Sequence, residues 1–158
     1  LKILVVERHR GSGRVGRGLV NGMGFRQGAI AGTVAHDHHN LVAVGVDDAS
    51  ILTASRRVAD LGGGLAVARG GEVLASLPLP VAGLMSDRTI EEISEKLHSM
   101  YEVAFERLGV NRELDPFMTL SFLALPVIPE LKVTDMGLFD GCSFSFTEVG
   151  VAEESEEV

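Results

Sequence analysis

At 158 residues, with 46% apolar residues and a net charge of -8, the chain can bury one core and is too short for two comfortable domains. The negative balance repels a phosphate backbone, and one Tyr and seven Phe without Trp offer no basic, aromatic surface for stacking bases, so no nucleic-acid partner is expected. The single cysteine, Cys142, rules out an internal disulfide and any zinc site that needs a cysteine pair, and is expected as a buried thiol.

The chain opens at Leu1 directly in the strand pattern "LKILVVERH", with no basic region followed by an apolar stretch and a cleavage site. The expectation is a cytoplasmic protein cut from a longer chain. The Gly/Arg stretch "RHRGSGRVGRG" follows as a loop. Gly-rich loops can aim backbone N–H groups at a phosphate, but the Walker lysine-hydroxyl ending and the dinucleotide-binding spacing are both missing. Arg10, Arg14 and Arg17 are therefore expected to meet carboxylates or line an interface.

From Leu19 to Gly45 the pattern is β structure broken by glycines: "LVNGMGF", "GAIAGTVAHD" and "NLVAVG". Asp47 or Asp48 caps a helix that places Ile51, Ala54, Val58 and Leu61 on one face, with Arg56, Arg57 and Asp60 facing away and Gly62 to Gly64 ending it. "LAVARGGEVLASLPL" reads as a hairpin turning at Gly70 and Gly71. Thr89 and Glu92 have capping-box spacing before a helix whose Ile90, Ile93, Leu97, Met100, Ala104 and Leu108 share a face up to Gly109. Its acidic side, Glu91, Glu95, Glu102 and Glu106, is read as a solvated face rather than paired catalytic carboxylates, which need perturbing surroundings.

The longest apolar stretch, "LSFLALPVIPEL", is interrupted by Pro126 and Pro129 and falls short of a bilayer span, so it is expected as a buried core segment, with no membrane partner. A turn at "TDMG" and an alternating strand "SFSFTEV" follow. Residues 1–150 form one domain in this reading, and residues 151–158 an acidic, disordered tail. Six or seven β-rich runs, two or three helices and hairpin connections predict a single α+β domain, a mainly antiparallel β-sheet flanked by helices.

The stretch "TVAHDHHNLVAVG" carries the densest chemistry. If residues 34–38 are extended, His36 and His38 share a face and could chelate one metal ion, with Asp47, Asp48 or Asp87 as a possible third ligand. The alternative is structural: Asp37 holds one histidine, another caps a backbone group, His38 faces solvent, and Asp37 and Asn40 bond nearby main chain. A contact to substrate or to another domain is a third reading.

Four blocks carry a family resemblance: "VVERH" at residues 5–9, "GAIAGTVAHDHHN" at 28–40, "LPLPVAGLMSD" at 77–87 and "PFMTLSFLALPVIPELKVTD" at 116–135. With them the chain resembles the C-terminal domain of adenine deaminases of the amidohydrolase superfamily. The resemblance implies a parent enzyme that converts adenine and water to hypoxanthine and ammonia at an iron or manganese centre in a (β/α)8 barrel. Such a barrel takes about 250 residues, so this chain does not contain it and binds no metal of its own in this reading. Catalytic residues are thus expected elsewhere. His36, Asp37, His39 and Asn40 match the family pattern and become candidates for pocket closure or contact with the barrel. The pattern has serine where this chain has His38, which makes His38 the expected bystander. The implied partners are the barrel domain of the same chain, adenine through the parent enzyme, and further copies in a homo-oligomer. A free-standing binding or oligomerisation module related to this domain is the alternative.

Overall fold

The computed structural model describes residues 1–150; the acidic tail expected at 151–158 lies outside them. Six strands form one antiparallel sheet: β1 Lys2–Val6, β2 Val15–Leu19, β3 Ala29–Gly32, β4 Leu41–Gly45, β5 Gly64–Arg69 and β6 Glu72–Pro78, in the order β2-β1-β4-β3-β5-β6. A second antiparallel sheet holds β7 Leu131–Thr134, β8 Gly137–Asp140 and β9 Ser145–Thr147. With helices α1 Asp48–Asp60, α2 Ile90–Val103 and α3 Pro116–Phe122, this is the expected α+β domain.

Period-two alternation divides the large sheet into two faces. Ala29, Ala31, Leu41, Ala43, Ala66 and Ala68 point one way, where α1 covers them with Ile51, Ala54 and Val58. The alanines let the helix lie close to the strands. Ile3, Val5, Ile30, Val42, Val44 and Val67 point the other way, into a larger core with Met100, Ala104, Leu108, Phe117 and Leu120. The helices therefore lie on both faces.

Local signals explain the element boundaries. Asp47 caps α1, its Oδ1 accepting from the Ser50 amide at 2.8 Å and its Oδ2 from the buried Ser50 hydroxyl at 2.7 Å. Thr89 and Glu92 form the full capping box at the start of α2. The helix widens into a π-helical turn over Ala104–Leu108 and stops at left-handed Gly109. Its apolar stripe enters the core progressively: Ile90 is 78% exposed, Ile93 and Leu97 are half-buried against the core, and Met100, Ala104 and Leu108 are buried.

Several expectations are corrected. Strand β2 starts at Val15, inside the stretch read as a loop, and ends at Leu19, so "LVNGMGF" is not a strand. The reason is tertiary: a Cβ on Gly16 would sit 1.6 Å from the Thr134 carbonyl, because the small sheet packs directly on β2. The segment "LSFLALPVIPEL" is only half buried. Leu120, Ala124 and Leu125 are in the core, but Val127 is 68% exposed after the chain leaves α3. Cys142 is exposed, in the turn between β8 and β9. Arg57 does not simply face away, since its Nε donates to Ser76 Oγ at 3.1 Å.

A candidate site at one pole of the sheet

Strands β1, β3 and β6 run in the same direction and end at the same pole, where they pass into residues 7–14, 33–40 and 79–87. The Gly/Arg loop after β1 does cradle an anion, and the anion is its own. The carboxylate of buried Glu7 accepts from the amides of His9, Arg10 and Ser12 at 2.5, 2.8 and 3.0 Å, and from the Ser12 hydroxyl at 2.8 Å. These bonds, led by the Ser12 amide, lower its pKa to about 2.

Arg8 then ties three loops together. Its Nε donates to the His39 carbonyl at 2.6 Å and its Nη2 to the Ala82 carbonyl at 2.7 Å. His39 and Ala82 are two of the three non-glycine residues with positive φ among those described, at 49° and 58°, a conformation that costs an L-residue about 1–2 kcal/mol. One guanidinium thus clamps two strained backbone segments. Gly83 makes room for it, since a Cβ there would stand 2.9 Å from Arg8 Nη2. Buried Thr33 adds a second tie, donating to the Gly83 carbonyl at 2.6 Å and accepting from the Gly64 amide at 2.8 Å.

The histidine stretch is a turn over residues 36–38 and not an extended strand. The His36 amide donates to Ser121 O on α3 at 3.1 Å, and its ring stacks on Phe122 with centroids 5.8 Å apart. Its Nδ1 lies 2.6 Å from Asp37 Oδ1, and both side chains are more than half exposed. His38 turns inward: Nε2–H donates to Ala124 O at 3.1 Å, while Nδ1 accepts from the Asn40 amide at 3.0 Å. That pairing requires the neutral Nε2–H tautomer, and burial lowers the pKa of the ring. His9 Nε2–H donates to the His38 carbonyl at 2.7 Å. Asn40 is 4% exposed; its Nδ2 donates to Asp135 Oδ1 at 3.3 Å, and Arg14 Nη2 lies 2.8 Å from Asp135 Oδ2 as an ion pair off hydrogen-bond angle. His39 Nδ1 and Asn40 Oδ1 are buried without a hydrogen-bond partner. A cleft of about 320 Å³ opens beside the turn, lined by Asp37, His38 and Asp135 together with Val127, Met136 and Phe146.

All four sequence blocks meet at this pole, contributing Arg8, His36, Ala82 and Asp135 to one bonded network. Residues 1–145 match the family described as "Adenine deaminase C-terminal domain". The chain belongs to this family. It is 58% identical over 151 residues to the adenine deaminase of Nitratidesulfovibrio vulgaris (strain DP4), 52% over 144 residues to that of Bacillus licheniformis and 45% over 145 residues to that of Clostridium acetobutylicum. The alignments cover 96%, 91% and 92% of this chain but only 26%, 25% and 25% of those proteins, so it spans about a quarter of their length.

In this adenine deaminase C-terminal domain the candidate residues are brought to one loop with divided tasks. His36 and Asp37 are exposed, whereas His39 and Asn40 are drawn inward. His38, expected in solvent, is half-buried and bonded through both ring nitrogens, because the turn rotates it off the face that an extended chain would give it. The same turn removes the shared His36/His38 face, and no lone pair of His38 is left for a metal. Asp47 and Asp48 sit beyond the far end of β4, capping α1 and pairing with Lys2. Asn40 bonds Asp135 and not nearby main chain. Arg8, Thr33 and Asp135 were not singled out from sequence, although each lies in or beside a family block, which was the available signal.

Proposed function

We propose that the domain is the C-terminal part of a metal-dependent adenine deaminase, which converts adenine and water to hypoxanthine and ammonia, and that its pole is turned toward the catalytic barrel. The observation that carries this reading is the meeting of the four family blocks at one pole, with His36 and Asp37 held outward by a backbone that is bonded from behind. A rigid loop that presents exposed hydrogen-bonding groups is suited to positioning or closing over a substrate in a neighbouring pocket. Catalysis itself belongs to the barrel, for which about 250 residues are needed.

Iron or manganese is the metal that this reading assigns to the barrel. The donor set at the pole does not fit one. His38 has both ring nitrogens engaged, and among the described residues no three His, Cys, Asp or Glu side chains gather as ligands. The pole's own contribution is a paired imidazole and carboxylate at its rim. Ammonia release from adenine, with manganese added, should be measured on three preparations: the 158-residue chain alone, the complete polypeptide, and the complete polypeptide with Asp37→Ala. The expected order is no turnover, full turnover, and a raised KM or lowered kcat with unchanged metal content. Robust turnover by the chain alone, or wild-type kinetics for Asp37→Ala, would overturn the corresponding part of the proposal.

A further inference from the structure

The last third of the chain leaves unusually large apolar side chains in the open. Val127 is 68% exposed, Met136 63% and Phe146 53%, and Met118 and Phe122 on α3 are exposed as well. They are not scattered. Val127, Met136 and Phe146 line the same cleft as Asp37 and His38, while Phe122 carries the His36 ring, so the apolar surface and the polar pole form one continuous face. Of the two carboxylates in the cleft, Asp135 is paired with Arg14, which leaves Asp37 at the rim. A contiguous apolar surface rimmed by polar groups marks an interaction site. The β7–β9 sheet packs on β2 through Val133 and Leu138, yet Phe144 and Phe146 at its β9 end stay exposed.

We propose that this face, from the His36–Asp37 rim across α3 to β9, is the docking surface for the catalytic portion of the same polypeptide. The inference rests on the functional reading above and names the surface through which it would operate. Two observations select the occupant. The matched relatives are about four times as long as the aligned segment, so each carries a body some three times its size on the same chain. The face is also continuous, through Asp37 and Asp135 in its cleft, with the pole at which the four family blocks meet. A larger apolar opening, about 510 Å³ between β1, β2 and α1, lies away from the four blocks, and the Lys2–Asp48 ion pair sits among its lining residues. Leu52 there, 48% exposed, serves as the control position.

The test compares the complete polypeptide with its Val127→Glu and Leu52→Glu variants by hydrogen exchange, sedimentation and ammonia release from adenine. The expected result is amide exchange over residues 117–128 and 136–147 at least about tenfold faster in Val127→Glu than in wild type, with Leu52→Glu unchanged. A Phe146→Ser variant should show the same loosening and guards against a local effect of the new charge. Equal exchange in Val127→Glu and Leu52→Glu overturns the inference. So does a fall in sedimenting mass upon Val127→Glu without faster exchange within each copy, which would assign the face to a second copy. If the wild-type polypeptide does not release ammonia from adenine, the functional reading fails, whatever the exchange data show.

Discussion

The α1 face of the sheet and the pole at the ends of β1, β3 and β6 are built on opposite terms. Under α1 the sheet presents alanines of β3, β4 and β5 to a capped helix, and Ile51, Ala54 and Val58 are fully enclosed. At the pole the backbone is irregular: two non-glycine residues are left-handed, and three buried polar atoms, His39 Nδ1, Asn40 Oδ1 and Asp135 Oδ2, lack hydrogen-bond partners, against Ser55 Oγ on α1. Strain and unsatisfied groups of this kind each cost about 1–3 kcal/mol and persist where the surroundings hold them for another purpose. The difference separates a surface shaped for stability from one shaped to present groups.

Substitutions can test that contrast. The largest expected effect is on the α1 side, where Ile51→Ala should lower the unfolding free energy by about 2–5 kcal/mol in urea titrations. In the complete polypeptide it should leave adenine turnover per folded molecule unchanged, since it is remote from the pole. Next, Arg8→Met removes two charge-assisted bonds and releases His39 and Ala82. Its expected stability loss is about 2–3 kcal/mol, with accelerated hydrogen exchange confined to residues 33–40 and 79–87. Exchange spread evenly over the sheet would contradict the role assigned to Arg8 as a clamp.

The smallest effect is one of pH, read from thermal melts between pH 3 and 8. The folded pKa of His38 lies below its unfolded value of 6.5, so the unfolded chain binds more protons and stability falls as pH drops through and below that value. Glu7 is also depressed, to about 2 from 4.5; its contribution is complete above 4.5 and declines as pH falls toward 2. His38→Gln should flatten the upper limb and leave the lower one, whereas Glu7→Gln should do the reverse. An unchanged upper limb in His38→Gln would show that the ring is not held neutral.

Much of the frame was legible because it rests on local chemistry. Asp47, the Thr89–Glu92 pair and the Gly70–Gly71 turn act within a few residues of where they stand, and each delimits its element as read. Strand β2 was missed because "VGRGL" has too few large apolar residues to announce a strand; its glycines are explained only by β7 lying against them. Cys142 and Val127 were misplaced for the complementary reason. An apolar side chain says that burial is favourable, but not whether this domain provides the cover.

The histidine loop shows the same division at closer range. Its residues and their family pattern were visible in the chain, and the sequence alone determined the fold class, the capped helices and the membership of four blocks in one pattern. Which way each ring points was settled by contacts from distant segments: Ser121 and Ala124 from α3 and the turn after it, Asp135 from the β7–β8 turn, and Arg8 from the loop after β1. Propensity and periodicity act over one or two turns of chain. A hydrogen bond across 86 or 95 residues exists only once the strands have brought its partners together, and so the tertiary structure decided that His38 is held and His36 is shown.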